Sequence, residues 1–392
     1  MENCLVFSYD GDLEFYQDIG YPLFDSDKNE IITGSQFDID LGRVVVGKPT
    51  IAQKNSGKFI IAVVNWWNYN QTVNNYDYGF ADLVICTSSE MPSDKWDLYH
   101  KKTCRLLNNE NVIYLMNGMD CTDSYPSDRF FCPNLHFFKT IACSNKPVIY
   151  PNASRPFLFD VLLGTKKLHR LQIFDFLKKS HLLDKSLVSL KDGPFHTDCN
   201  LPEYTYESPI LDRLEDPIIY NFKKNPSKDP YLNYFGRVSV KNFGNTKHKM
   251  LASLIISHKI YHNSWYSIIS ETNHHTWHFL TEKTAKCLFA KRIFLNYASV
   301  GTLKFLRDQG FKTFDGIIDE SYDQEPSNRK RLNMIYEQIL WLASEDPIKL
   351  YKLAKPILDH NFNMITKSDL NTNAMKNFIA QNIIKTKYGN SI

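Results

Sequence analysis

Short apolar runs separated by polar, turn-rich stretches recur through the first third of the chain: Leu5–Ser8, Phe59–Asn65, Leu83–Thr87 and Val112–Met116. Continuous aliphatic and β-branched runs of this length predict strands buried on both faces of a parallel sheet. Polar residues follow several of them: Asp10 and Asp12, then Asn65-Trp66-Trp67-Asn68, then Ser88-Ser89-Glu90. Such run ends are expected along one rim of the sheet. Trp96–Leu107 reads as a helix between two of the strands. Lys146-Pro147 and Pro151-Asn152 mark a boundary, so residues 1–152 are expected as a first α/β domain.

A second strand-and-helix series starts at Phe157. Phe157–Leu163 predicts a strand, Gly164 a tight turn, and Thr165–Arg170 a basic loop before a helix over Leu171–Lys179, whose Leu171, Phe174 and Leu177 share a face. Ser186–Leu190 is the next strand. Residues Lys191–Asn233 carry six prolines and a Lys223, Lys224, Lys228 cluster, which predicts an irregular excursion. Tyr266–Ser270 and Ile293–Tyr297 are further strands, joined by a polar, histidine-rich loop and a helix capped by Thr281. Beyond them the pattern predicts a helix over Gly301–Gly310, a strand at Thr313–Ile318, an amphipathic helix after Pro326, and helices near Ile348–Asp359, kinked or divided by Pro356, and Ala374–Ile384. The second domain is expected over 153–370. Residues 371–392 are expected as a terminal helix that packs back on the first domain.

Composition adds limits. A chain of 392 residues with 43% hydrophobic and 14% aromatic content is globular and long enough for two cores. A net charge of +3 does not by itself argue for nucleic acid. No secretory leader pattern and no run of membrane-spanning length is present, so a cytoplasmic protein without a membrane partner is expected. The 8 cysteines contain no CxxC pair, and suggest neither zinc nor a disulfide framework.

Four constellations can carry chemistry. Glu282-Lys283 follow the cap Thr281, so a lysine able to pair with a diphosphate and a glutamate able to hold sugar hydroxyls stand at a helix start; an ordinary surface helix start has the same pattern. The basic loop Lys166–Arg170, between a buried strand and a helix, suits a phosphate, or is a solvated turn. Glu271, His274, His275, His278 and Glu282 have spacings that could hold a metal, but match no zinc pattern; a polar loop with one or two ligand-contacting histidines accounts for them better. Trp66, Trp67, Tyr69, Tyr76 and Tyr78 cluster after a strand, either as packing or as a surface on which a sugar or base stacks.

Two of these segments together resemble the α1,3-fucosyltransferases. Glu271-Thr272-Asn273 after a strand, then Phe279-Leu280-Thr281-Glu282-Lys283 before a helix and strand, are similar to that family's motif, although Thr272 intervenes between Glu271 and Asn273. Arg170 lies where the family carries an arginine before the first helix of its second domain. The resemblance covers roughly residues 157–300. It implies two Rossmann-like domains of the GT-B type facing each other across a cleft. It also implies that Arg170 and Lys283 hold the donor diphosphate, with Glu271, Asn273 and Glu282 on ribose, base or sugar, in a motif that includes Phe279 and beside the basic Lys166. No metal and no other cofactor is implied. The family's catalytic base, a glutamate, has no counterpart in Asn65–Asn70, so Asp10, Asp12, Asp77 and Glu90 are the candidate bases. Trp66, Trp67 and Tyr69 are the candidate acceptor contacts.

The expectation is a glycosyltransferase moving a sugar, with inversion, from a nucleoside-diphosphate donor to a hydroxyl, by default on a glycan. Two alternatives stay open. One is a phage-type enzyme that glycosylates a modified base in duplex DNA, with the Lys223–Lys228 and Lys247–Lys249 segments as its basic surface. The other is a non-catalytic nucleotide- or metal-binding module.

Overall fold

The computed structural model describes residues 4–8, 44–46, 51–65, 77–88, 96–116, 118–120, 129–131, 138, 141–142, 147–148, 150, 155–164, 167–190, 238–239, 249–250, 256, 258–275, 277–367 and 372–388. The runs of the first third form strands β1 (Cys4–Ser8), β2 (Val44–Val46), β3 (Phe59–Asn65), β4 (Leu83–Ser88) and β5 (Val112–Met116). After β6 (Gly118–Asp120) comes β7 (Arg129–Phe131), which closes a six-stranded sheet of order β2-β1-β3-β4-β5-β7. All its pairings are parallel. Helices α1 (Ile51–Lys54) and α2 (Trp96–Leu107) lie among these strands in the chain. Ile60, Val84, Cys86, Leu107 and Tyr114 belong to one buried cluster.

The second series supplies β8 (Phe157–Gly164), helix α3 (Leu168–Lys179) and β9 (Ser186–Leu190). After the short antiparallel pair β10 (Val238–Ser239) and β11 (Lys249–Met250) come α4 (His258–Asn263), β12 (Ser264–Ser270), β13 (Trp277–Phe279), α5 (Glu282–Phe289) and β14 (Ile293–Tyr297). Strands β14-β12-β8-β9 form an entirely parallel sheet. Counted in chain order this is 4-3-1-2, so the winding reverses between β8 and β12. In open α/β sheets, ligands bind outside the carboxyl ends of the strands at such a reversal. The fold is therefore α/β, built on parallel sheets.

Toward the amino end of the second sheet, Arg292 is fully buried and pairs with Asp160 at 2.6 Å. Ser264 and Ser267 donate to the same carboxylate oxygen of Asp160, each at 2.9 Å. A charge with no access to water needs this many partners.

Three sequence expectations are corrected. The helix expected from Leu171 starts at Leu168, so His169 and Arg170 belong to its first turn rather than to a loop, and both are buried. The expected strand Thr313–Ile318 is a turn. Gly316 has φ +81°, and the amides of Ile317 and Ile318 both donate to Phe314 O. Pro356 does not divide its helix: α8 runs unbroken from Pro347 to Lys367, after α6 (Thr302–Asp308) and α7 (Asn328–Ser344) and before α9 (Thr372–Tyr388). Pro356 and Lys352 both lie on the exposed side, where water can serve the Lys352 carbonyl that proline leaves without its N–H. The excursion Lys191–Asn233 lies outside the described residues.

Two contacts join early and late parts of the chain. β6 pairs antiparallel with β13, with Gly118 opposite Phe279 and Asp120 opposite Trp277. Lys387, in α9, places its ammonium 5.2 Å from the Phe59 ring centroid in β3. Among the described residues no helix is long and apolar enough to cross a membrane.

Candidate functional site

β8 and β12 end side by side where the winding reverses, and the candidate residues gather at those two ends. Gly164 closes β8 with φ +66°, a conformation that glycine adopts without strain. A Cβ built there would stand 3.6 Å from Nη1 of Arg170. Three residues later Lys167, extended at φ −133°, opens α3. Its ammonium donates to Thr272 O at 3.1 Å, and His169 Nε2 lies 3.2 Å from Glu271 O. A carbonyl can only accept, so the His169 proton sits on Nε2. These two bonds tie the first turn of α3 to the end of β12.

Glu271 is fully buried. Its Oε1 accepts from Thr281 N at 3.1 Å and from Thr284 Oγ1 at 2.6 Å; its Oε2 accepts from Thr281 Oγ1 at 2.5 Å. Asn296 Nδ2, on β14, donates to Thr284 Oγ1 at 3.2 Å. Together these bonds clamp the N-terminus of α5 to the carboxyl ends of β12 and β14. In this arrangement Glu271 orients the helix start, with both of its oxygens engaged by protein groups.

Lys283 folds back over that helix start. Its ammonium donates to Thr281 Oγ1 at 3.0 Å and lies 3.3 Å from Glu282 and 3.7 Å from Glu271. It remains partly exposed, at 16% of its side chain. Burial pushes the Glu282 carboxyl up, but Lys283, Lys286 and hydrogen bonds outweigh that, so its pKa falls below the usual carboxylate value. Lys286, buried one turn along, is brought down to about 8 because burial penalises its ammonium more than Glu282 restores it. The spacing of four from Glu282 is a signal for Lys286 that the sequence reading passed over.

Four rings line the same rim: His169, His274, His275 and Tyr297, the last residue of β14. Centroids are 4.1 Å apart for His169–His274, 3.8 Å for His274–His275, 5.1 Å for His274–Tyr297 and 5.8 Å for His169–Tyr297. Desolvation first, and neighbouring rings and cations second, push His169 down to about 2 and His274 to about 3; His275 is lowered by burial and Arg331. All three imidazoles are neutral near pH 7. Asn273 Oδ1 accepts from the His275 amide at 2.9 Å, closing an Asx turn. Arg331, buried in α7, donates to Ala298 O, Glu325 O and His274 O. Neither Arg331 nor its neighbour Asn328 was legible in the sequence, because more than fifty residues separate them from His274.

His278 lies apart from these rings. It is buried against Phe305, with its Nδ1 3.2 Å from Ser299 Oγ and 3.3 Å from Thr302 Oγ1. Among the described residues, no group of three or more His, Cys, Asp or Glu is placed to hold a metal.

Of the residues expected from the sequence, Arg170, Glu271, Asn273, Glu282 and Lys283 meet at one rim. Phe279 is buried in β13 on the approach to α5. Asp77 does not join them. It precedes β4, at the amino edge of the first sheet, where its Oδ1 accepts from Gly79 N and Asn108 Nδ2, both at 2.9 Å. That is the edge opposite the strand ends where ligands bind, so Asp77 serves a turn. Asp10, Asp12, Glu90, Lys166, Trp66, Trp67 and Tyr69 lie outside the described residues. No family model matches the chain, and no curated protein matches it.

Proposed function

We propose that this protein is a nucleotide-sugar-dependent glycosyltransferase that passes a sugar from a nucleoside diphosphate to a hydroxyl acceptor. The observation that carries the reading is the placement of two cations at the helix starts beside one strand-order reversal. Arg170 stands in the first turn of α3 beside Gly164, and Lys283 lies over the N-terminus of α5. Cleavage of a glycosyl–phosphate bond builds negative charge on the departing diphosphate. Two held cations and the positive end of a helix stabilise that charge without reorganising as it forms. The resemblance of Glu271-Thr272-Asn273 and Phe279–Lys283 to the α1,3-fucosyltransferases points the same way.

On this reading the chain has the GT-B arrangement, two Rossmann-like halves facing across a cleft. In its support, the β6–β13 ladder joins the segment just past the carboxyl end of β5 to the segment just before α5. Glu271 acts as a positioning residue for the α5 start, while Arg170 and Lys283 contact the diphosphate and Glu282 is left for a sugar hydroxyl. The base that takes the acceptor proton comes from Asp10, Asp12 or Glu90, each a few residues beyond a strand end in the sequence. A glycan is the default acceptor.

Thermal shift against UDP-, GDP- and CMP-sugars tests the donor site, since a ligand bound only by the folded state raises its stability. One of the nucleoside-diphosphate donors is expected to stabilise the protein and to be slowly hydrolysed, with both effects lost in Lys283→Ala. Absence of a shift with every donor, or an unchanged response in Lys283→Ala, would sink the proposal. Binding without hydrolysis or transfer would mark a non-catalytic nucleotide module. Duplex affinity that falls steeply with salt would move the acceptor to DNA.

A further inference from the structure

We propose that the base of the donor nucleotide stacks on the exposed face of His275, making His275 the outer ring of an aromatic column that reads the nucleoside. This rests on the nucleotide-sugar reading and adds to it a base subsite on residues outside the diphosphate pair. The column grades from inside to outside. Tyr297 and His169 are buried, His274 is half-buried, and His275 is exposed. Centroid separations of 4.1 and 3.8 Å lead outward through His274 to His275. A run of neutral rings that ends in solvent presents a flat, weakly hydrated surface, the kind on which a nucleobase stacks.

The outer ring is also held still. Asn328 Nδ2 lies 2.6 Å from His275 Nδ1, and Arg331 Nη2 contacts Asn328 Oδ1. A guanidinium can only donate, so the oxygen of Asn328 must face Arg331 and its NH2 must face His275. Nδ1 of His275 is therefore an acceptor, and its Nε2 carries the proton. An exposed side chain ordinarily keeps its rotamer freedom, whereas this one has lost it before any ligand arrives. Preorganisation of that sort lowers the entropic cost of binding.

Position agrees. His169, the inner end of the column, is the chain neighbour of Arg170, and the loop that carries His274 and His275 leads through β13 to the α5 start where Lys283 lies. Diphosphate and base subsites would thus share one rim. Two polar atoms at this rim complete the picture. Ser270 Oγ, fully buried at the last position of β12, and His274 Nδ1 have no hydrogen-bond partner among the described residues. Buried orphans of this kind are rare in folded proteins unless a ligand or water serves them.

The test compares binding of the stabilising nucleoside diphosphate with that of inorganic pyrophosphate, by titration calorimetry, in wild type, His275→Ala and His275→Phe. Expected in His275→Ala is a loss of at least about tenfold for the nucleotide with pyrophosphate unchanged, and recovery of most of that loss in His275→Phe. Unchanged nucleotide affinity in His275→Ala, or equal weakening of both ligands, would overturn the base subsite while leaving the diphosphate site standing. If wild type binds neither ligand, the donor reading itself fails, and the base subsite with it. A purely structural column would lower the melting temperature in His275→Ala without separating the two ligands, which also counts against the proposal.

Discussion

His169 shows how one buried side chain can serve position and leave a trace in stability. Its Nε2–H is committed to Glu271 O, and its ring packs against His274 and Tyr297. Protonation would place a charge where water cannot reach it, next to Arg170 and Lys167, and its pKa is accordingly pushed down to about 2. An unfolded histidine titrates near 6.5, so below that pH the unfolded chain binds the proton that the folded chain refuses. The stabilising contribution is present in full above about pH 6.5 and is lost as pH falls toward the folded value, at up to about 1.4 kcal/mol per pH unit. Urea midpoints measured from pH 7 to pH 5 are expected to fall, and less so in His169→Gln, whose amide donates to the same carbonyl without titrating. An equal pH dependence in the two proteins would refute this account.

At the scale of elements, the site depends on helix starts anchored to strand ends. α5 is held by the Glu271 carboxylate through Thr281 and Thr284, and α3 by Lys167 and His169 through two carbonyls of the β12 end. α6 follows the same plan, with Asp323 accepting from Leu303 N and Lys304 N at 2.8 and 3.0 Å. Glu271→Ala removes a charged acceptor and leaves one buried amide and two hydroxyls without their partner, which should cost about 2–4 kcal/mol. Because α5 also carries Lys283, the same variant should lose nucleotide affinity through displacement of the helix start. Glu271→Gln keeps a carbonyl acceptor in place and is expected to recover part of both losses. A variant Glu271→Ala of wild-type stability that had lost only donor affinity would instead make Glu271 a direct ligand contact.

At the scale of the whole molecule, two parallel sheets follow the same winding. In the first, β2-β1-β3-β4-β5 reverses between β1 and β3; in the second the reversal lies between β8 and β12. The second reversal holds the cations Arg170 and Lys283, and on the proposed reading those cations do the electrostatic work that a divalent metal does in other transferases. Donor hydrolysis is therefore expected to proceed unchanged after exhaustive treatment with EDTA. Activity abolished by EDTA and restored by magnesium or manganese would assign that work to a metal.

The apolar runs alone determined most of the strands. Phe59–Asn65, Val112–Met116, Ser186–Leu190 and Ile293–Tyr297 were legible to the residue, because strands buried on both faces need unbroken aliphatic sequence. The N-cap role of Thr281 was legible for a similar reason: a hydroxyl ahead of a helix start is a local device, and Thr281 Oγ1 accepts from Lys283 N at 3.3 Å. Strand order is not local. That β8 adjoins β12 rather than β14 follows from how the crossovers pack, and this adjacency brings His169 to Glu271 across about a hundred residues. The burial of Glu271, the column of neutral histidines and the grip of Arg331 and Asn328 on it likewise come from tertiary packing. Desolvation and hydrogen bonding act on whatever lies nearby in space, and spacing along a chain does not record that.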